Sequence, residues 1–181
     1  MRLDELKGLL QNDERTMQIL RLVRELNLPD WFVAAGAIRN TIWDIKEDFK
    51  EHTLLNDVDV VYFDPSDAKG EKETEYEKLL TEKEPGLKWS ITNQVRMAEY
   101  HSDPPYKNTC DAISHWVEGG CTCIGARLEK DDSITVCAPF GVDDVMDEIA
   151  RINPRYPKPD DYARRKLKAW DKTWPGVRYL D

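Results

Sequence analysis

The stretch that most constrains the fold runs from Phe32 to Asp64, FVAAGAIRNTIWDIKEDFKEHTLLNDVDVVYFD. Residues 31–35, WFVAA, are short and apolar, which reads as a buried strand, and Gly36 breaks it. AIRNTIWDIKEDF follows, with Ile38, Ile42, Ile45 and Phe49 at spacings that share one helical face. DVDVVYF, 57–63, then alternates. Asp57, Asp59, Val61 and Phe63 fall on one face; Val58, Val60 and Tyr62 fall on the other. The segment between Gly36 and Asp57 is long enough for one helix and a return to a neighbouring strand. The unit therefore delivers two aspartates, two residues apart, on a mostly apolar strand.

The flanking sequence supplies the rest of a sheet and its helices. ERTMQILRLVREL, 14–26, carries Met17, Leu20 and Val23 on a helical stripe that NLPD stops. TEYEKLLTEK reads as a short helix and LKWSITNQVRM as a strand, with Trp89, Ile91, Asn93 and Val95 opposite Ser90, Thr92, Gln94 and Arg96. TCDAISHWV is weakly helical. CTCIGARL and SITVCAPF flank EKDD and read as a hairpin. GVDDVMDEIA is a short helix, NPRYPKPDD a proline-stiffened link, and YARRKLKAWDKTW an amphipathic helix with a basic face. Interleaved helices and strands with one clear hairpin predict an α+β fold, a mixed β-sheet with flanking helices. The expected organisation is a single domain over 1–181: N-terminal helices at 1–28, a core at 29–150 and a C-terminal helical extension at 151–181.

Charge and composition narrow the function. The net charge of −9 disfavours extended duplex DNA binding, because an acidic surface repels the phosphate backbone. No apolar run approaches membrane-spanning length, and the N-terminal MRLDELKGLLQNDER lacks the hydrophobic core of a secretory signal, which points to a cytoplasmic protein. In that compartment Cys110, Cys121, Cys123 and Cys137 are expected reduced. Cys121 and Cys123, read as part of a strand, are expected to face one way as buried thiols rather than as a zinc site.

Asp57 and Asp59 admit two readings: a strand end meeting solvent, or a metal site. Two carboxylates on one strand face repel unless a cation lies between them. Mg²⁺ takes oxygen ligands and leaves positions open for substrate phosphates. Gly36 adds to the second reading, since a glycine before a helix N-terminus lets backbone amides approach a phosphate.

The motifs AIRNTIWD, DVDVVYFD, NQVRM, APFGVDD and WPG occur in that order along the chain. With them, residues 14–178 resemble a family of small bacterial nucleotidyltransferase-like proteins. That family lies in the DNA polymerase β-like superfamily, which includes the head domains of tRNA nucleotidyltransferases and poly(A) polymerases. The resemblance implies an NTP site at the sheet edge, with Gly36 and Ala37 in the phosphate loop and Asp57 and Asp59 as catalytic Mg²⁺ ligands. It implies transfer of a nucleoside monophosphate to an unidentified acceptor, a small molecule, protein or RNA. The sequence departs from the superfamily in two places. Gly36-Ala37 stands where Gly-Gly or Gly-Ser is usual, and the strand expected to carry a third carboxylate has no acid before Glu99. Asn93 is the residue assigned to that place, with Asp111, Asp143 and Asp144 as stand-ins. The alternative is a catalytically weak or inactive nucleotide-binding protein on the same fold.

Arg39 and Arg96 are candidate phosphate contacts, and Asn40 a bridge from loop to sheet. Arg39 could equally pair with Asp44 or with the Asp57/Asp59 carboxylates. His101 and His115 have no visible acid–base partner and are read as structural. Arg164, Arg165, Lys166 and Lys168 form the basic cluster of the C-terminal helix, either an acceptor contact or a solvated face.

Overall fold

The computed structural model describes residues 2–155 and 161–180. Two helices open the chain, α1 (Arg2–Asn12) and α2 (Glu14–Arg24). The Asp13 side chain caps α2 by accepting from the Thr16 amide at 2.7 Å. Then follow β1 (Phe32–Ala34), α3 (Gly36–Lys46), β2 (Val58–Tyr62), α4 (Glu73–Lys83) and β3 (Trp89–Asn93). Two short helices, α5 (Met97–His101) and α6 (Thr109–Ile113), precede the hairpin β4 (Gly125–Leu128) and β5 (Ile134–Cys137). The chain continues through α7 (Asp143–Met146), β6 (Ile149–Ala150), α8 (Asp161–Lys168) and β7 (Arg178–Tyr179).

The five-stranded sheet has the order β3-β2-β1-β4-β5. β2 and β3 are parallel and the other pairs antiparallel, so the sheet is mixed, as the pattern predicts. One face carries Val33, Val58, Val60, Tyr62 and Ile91 into the main core, beneath Leu20, Ile38, Ile42 and Trp43 from the helices. The other face carries Phe32, Ala34 and Val61 against Ile113, Cys123 and Cys137. Asp57 and Asp59 belong to this second face, where the apolar cover stops. The C-terminal segment joins the main core rather than standing apart: Leu167, Trp170, Trp174 and Val177 are buried there, and β7 pairs with β6.

Several expectations are corrected. Cys110 and Cys137 form a disulfide, with Cα atoms 5.7 Å apart; α6 and β5 meet over a separation of 27 residues that no local pattern reveals. Cys121 and Cys123 are free and buried, but they precede β4 and enter different clusters. In α3 the buried face comprises Ile38, Ile42 and Trp43, while Phe49 lies beyond the helix and is exposed. Most of the proline-rich link, residues 156–160, lies outside the described residues. Among the described residues, no helix is long and apolar enough to cross a membrane.

Candidate active site

A cavity of about 350 Å³ opens where β1 passes into α3, beside the start of β2. Ala35, Gly36, Arg39 and Asn40 line one side, and Asp57 and Asp59 another. The antiparallel register sets Ala34 opposite Asp59, which brings the strand–helix turn beside the aspartates. α3 starts without a side-chain cap. The Ile38 and Arg39 amides bond back to the Ala35 carbonyl, which leaves those of Gly36 and Ala37 at the head of the helix, the arrangement that favours an anion.

The backbone strain lies one residue before the expected place. Ala35 has φ 54° and ψ −123°, a conformation that glycine tolerates and alanine does not readily adopt. Its carbonyl accepts from the Arg39 amide at 2.9 Å, and its own amide donates to Ile124 at 3.0 Å, so the turn is held from both sides. Gly36 lies outside the left-handed region. A Cβ there would meet Arg39 Nη2 at 3.6 Å and Asn40 Oδ1 at 3.9 Å, ordinary contacts. Ala37 turns its side chain into the main core, so only its backbone can serve the loop.

Asp59 is raised from its ordinary value to about 6. Burial is the main cause and the neighbouring Asp57 the second; Lys166, a hydrogen bond from Ser90 and Arg39 oppose them. Arg39 reaches the cavity, and among the described residues it forms no ion pair with Asp44 or another carboxylate. Its Nη1 donates to Thr122 Oγ1 at 2.8 Å and its Nη2 to Asn40 Oδ1 at 2.8 Å. The guanidinium stacks on Trp170, 4.0 Å from the ring centre, and lies 5.3 Å from Trp43. Burial pulls its pKa down, but a guanidinium remains charged.

Asn93 is the largest correction. Parallel pairing sets Asp59 opposite Ser90 and Val61 opposite Thr92, so Ser90, Thr92 and Gln94 share the aspartate face. Asn93 pairs with Tyr62 on the opposite face and is fully buried. Its Oδ1 accepts from the Asp64 amide at 3.1 Å, and its Nδ2 donates to the carbonyls of Asp64 at 2.9 Å and Asp67 at 2.7 Å. It ties a turn and does not face the cavity. Arg96 is likewise elsewhere, bound through both terminal nitrogens to Glu73, with Nη2 to Oε2 at 2.6 Å. Of the suggested stand-ins, Asp111 accepts from the Lys107 amide, Asp143 pairs with Arg2 and Asp144 with Arg151.

Five residues far along the chain complete the cavity: Trp116, Glu118, Thr122, Lys166 and Trp170. Lys166 is ion-paired with Glu118. Glu118 supplies a third carboxylate to the wall. Among the described residues, however, no three acidic, cysteine or histidine side chains gather as a preformed metal cluster. His101 also lines the cavity, while His115 bonds the Asp111 carbonyl instead.

Comparison with known proteins agrees with this fold. An NMR structure described as revealing a CCA-adding enzyme head domain superposes with a TM-score of 0.80 at 28% identity, covering 98% of this chain and 95% of that one. A CCA-adding enzyme in complex with CTP shares the fold at a TM-score of 0.57 and 14% identity. There the match covers 97% of this chain and 43% of the larger enzyme. No curated protein matches the chain. The sequence model of a nucleotidyltransferase family matches residues 21–179, which include both aspartates, the strand–helix turn and the C-terminal wall of the cavity; the chain belongs to that nucleotidyltransferase family.

Proposed function

We propose that this protein transfers a nucleoside monophosphate from an NTP to an acceptor hydroxyl or phosphate and releases pyrophosphate, with Asp57 and Asp59 holding Mg²⁺. The observation that carries this reading is the pair of carboxylates on one strand face, opening into the same cavity as the uncapped start of α3. The residues fit the ion. Their donors are hard oxygens, Ser90 adds a hydroxyl beside Asp59, and burial together with Asp57 disfavours the Asp59 carboxylate, a cost that a bound cation would relieve. Mg²⁺ bound there would stabilise charge on the phosphoryl oxygens. The chain's own groups do the rest. The amides of Gly36 and Ala37 offer donors to a phosphate, and the fixed charge of Arg39 favours an anion near them. The reading includes a cytoplasmic location and an acceptor that the cavity does not name.

One observation favours a second reading, a nucleotide-binding protein with weak or no transferase activity. The β3 positions facing Asp59 and Val61 are Ser90 and Thr92, neither of which is a base at neutral pH. Two experiments separate the readings. Mg²⁺-dependent NTP binding is expected in the parent and lost in the Asp57→Ala, Asp59→Ala double variant; equal binding by both sinks the metal site. Incubation with labelled NTPs and a cell extract is expected to label a small molecule, protein or RNA. Binding without any label supports the second reading.

A further inference from the structure

Resting on that reading, we infer that Lys166 is a phosphate-positioning residue. It is held on Glu118 until a nucleoside triphosphate draws it away. Both members of this ion pair line the cavity that contains Asp57 and Asp59. They differ in freedom. The Glu118 side chain is only 13% exposed, while that of Lys166 is 47% exposed. Glu118 also sits on an anchored backbone, because its residue bridges to Ile152 and its carbonyl accepts from Cys123 Sγ at 3.1 Å. Lys166 carries its charge on a flexible four-carbon stem.

The other cation on this wall cannot move to a ligand. Arg39 is fixed by Thr122, by Asn40 and by the Trp170 ring, so it offers a static field. Trp170 follows Lys166 by one helical turn, and its stacking on Arg39 anchors the segment from which Lys166 projects. A triphosphate carries several charges that one buried guanidinium does not match. A mobile ammonium already facing the cavity can exchange a single carboxylate for phosphate oxygens, a stronger set of acceptors. Glu118 then acts as the resting counter-ion, competing with the nucleotide for the same ammonium group.

The two partners should respond in opposite directions. The test measures Kd by titration calorimetry for ATP, CTP, GTP and UTP in Mg²⁺, carries the tightest forward, and uses the matching monophosphate as control. Thermal melts establish that each variant is folded. Lys166→Met is expected to weaken triphosphate binding by about tenfold or more, leave the monophosphate within about twofold, and be largely rescued in Lys166→Arg. Glu118→Gln is expected to tighten triphosphate binding severalfold. If the parent binds an NTP but Lys166→Met binds it equally well, or if Glu118→Gln weakens binding as Lys166→Met does, the exchange is overturned while the proposed function stands. If the parent binds no NTP, both fall together.

Discussion

Asn93 and Asp59 stand on neighbouring strands, on opposite faces of one sheet, and their polar atoms are met in opposite ways. Asn93 is saturated: each side-chain atom that can bond does so, to backbone groups of Asp64, Asp67 and Val95. Its own amide bonds Glu73 Oε1 at 2.6 Å, and Glu73 in turn grips Arg96. Asp59 has one serine hydrogen bond, a like charge beside it and a strained Ala35 across the turn. A buried polar group with every bond made specifies the fold. A half-buried carboxylate with few partners and a like charge beside it is held there by the surrounding structure. On this contrast the sheet has one face with its polar groups closed into the fold and, at the Asp57–Asp59 end of the other, carboxylates that open into a cavity.

The largest effect should come from breaking the saturated side. Asn93→Ala leaves several buried backbone groups unpaired, and urea denaturation should show a loss of about 3 kcal/mol. The folded fraction should still bind NTP with Mg²⁺; a selective loss of binding at unchanged stability would return Asn93 to the site.

A smaller effect of opposite sign is expected on the other face. The carboxyl of Asp59 moves from 3.8 to about 6 on folding. The folded state therefore holds its proton more tightly, and stability falls as pH rises between those two values. Asp59→Asn removes this penalty. In EDTA it should be more stable than the parent by about 2 kcal/mol at neutral pH, with the difference shrinking through pH 6 and gone near pH 4. Added Mg²⁺ should raise the melting temperature of the parent and not that of the variant. A destabilised Asp59→Asn at pH 7 would mean that the carboxylate has partners like those of Asn93.

The smallest expected change sharpens the same contrast at the turn. Ala35→Gly relieves the positive φ at the expense of a more flexible unfolded chain, for a net gain of about 1 kcal/mol in denaturant melts. No gain would place the strain elsewhere.

Elements with a strong local period were legible in the sequence. The helix after Gly36, the alternation through Asp57 and Asp59, and the β4–β5 hairpin all form, although the helix stops before Phe49 and β4 starts after Cys123. Strand pairing was not. Alternation shows that Ser90 and Asn93 lie on different faces, but only the pairing register shows which of them meets Asp59, and an error of one residue exchanges the faces. The same limit hid Glu118 and Thr122, and left Lys166 indistinguishable from the other members of its basic cluster. They come from a loop and a distant helix, where no period marks a residue as facing a cavity. The Cys110–Cys137 bond depends on a tertiary meeting of α6 with β5 that composition cannot show.

The packing of Trp170 on Arg39 has a consequence for the order of synthesis. The aspartates, the turn at Ala35 and the whole five-stranded sheet emerge from the ribosome before Lys166 and Trp170 do. Until then Arg39 lacks its stacking partner, and the cavity is open on the side that these residues close. A nascent chain thus holds the acidic pair well before the cavity beside it is closed, so the site matures late even though its most recognisable residues are made early.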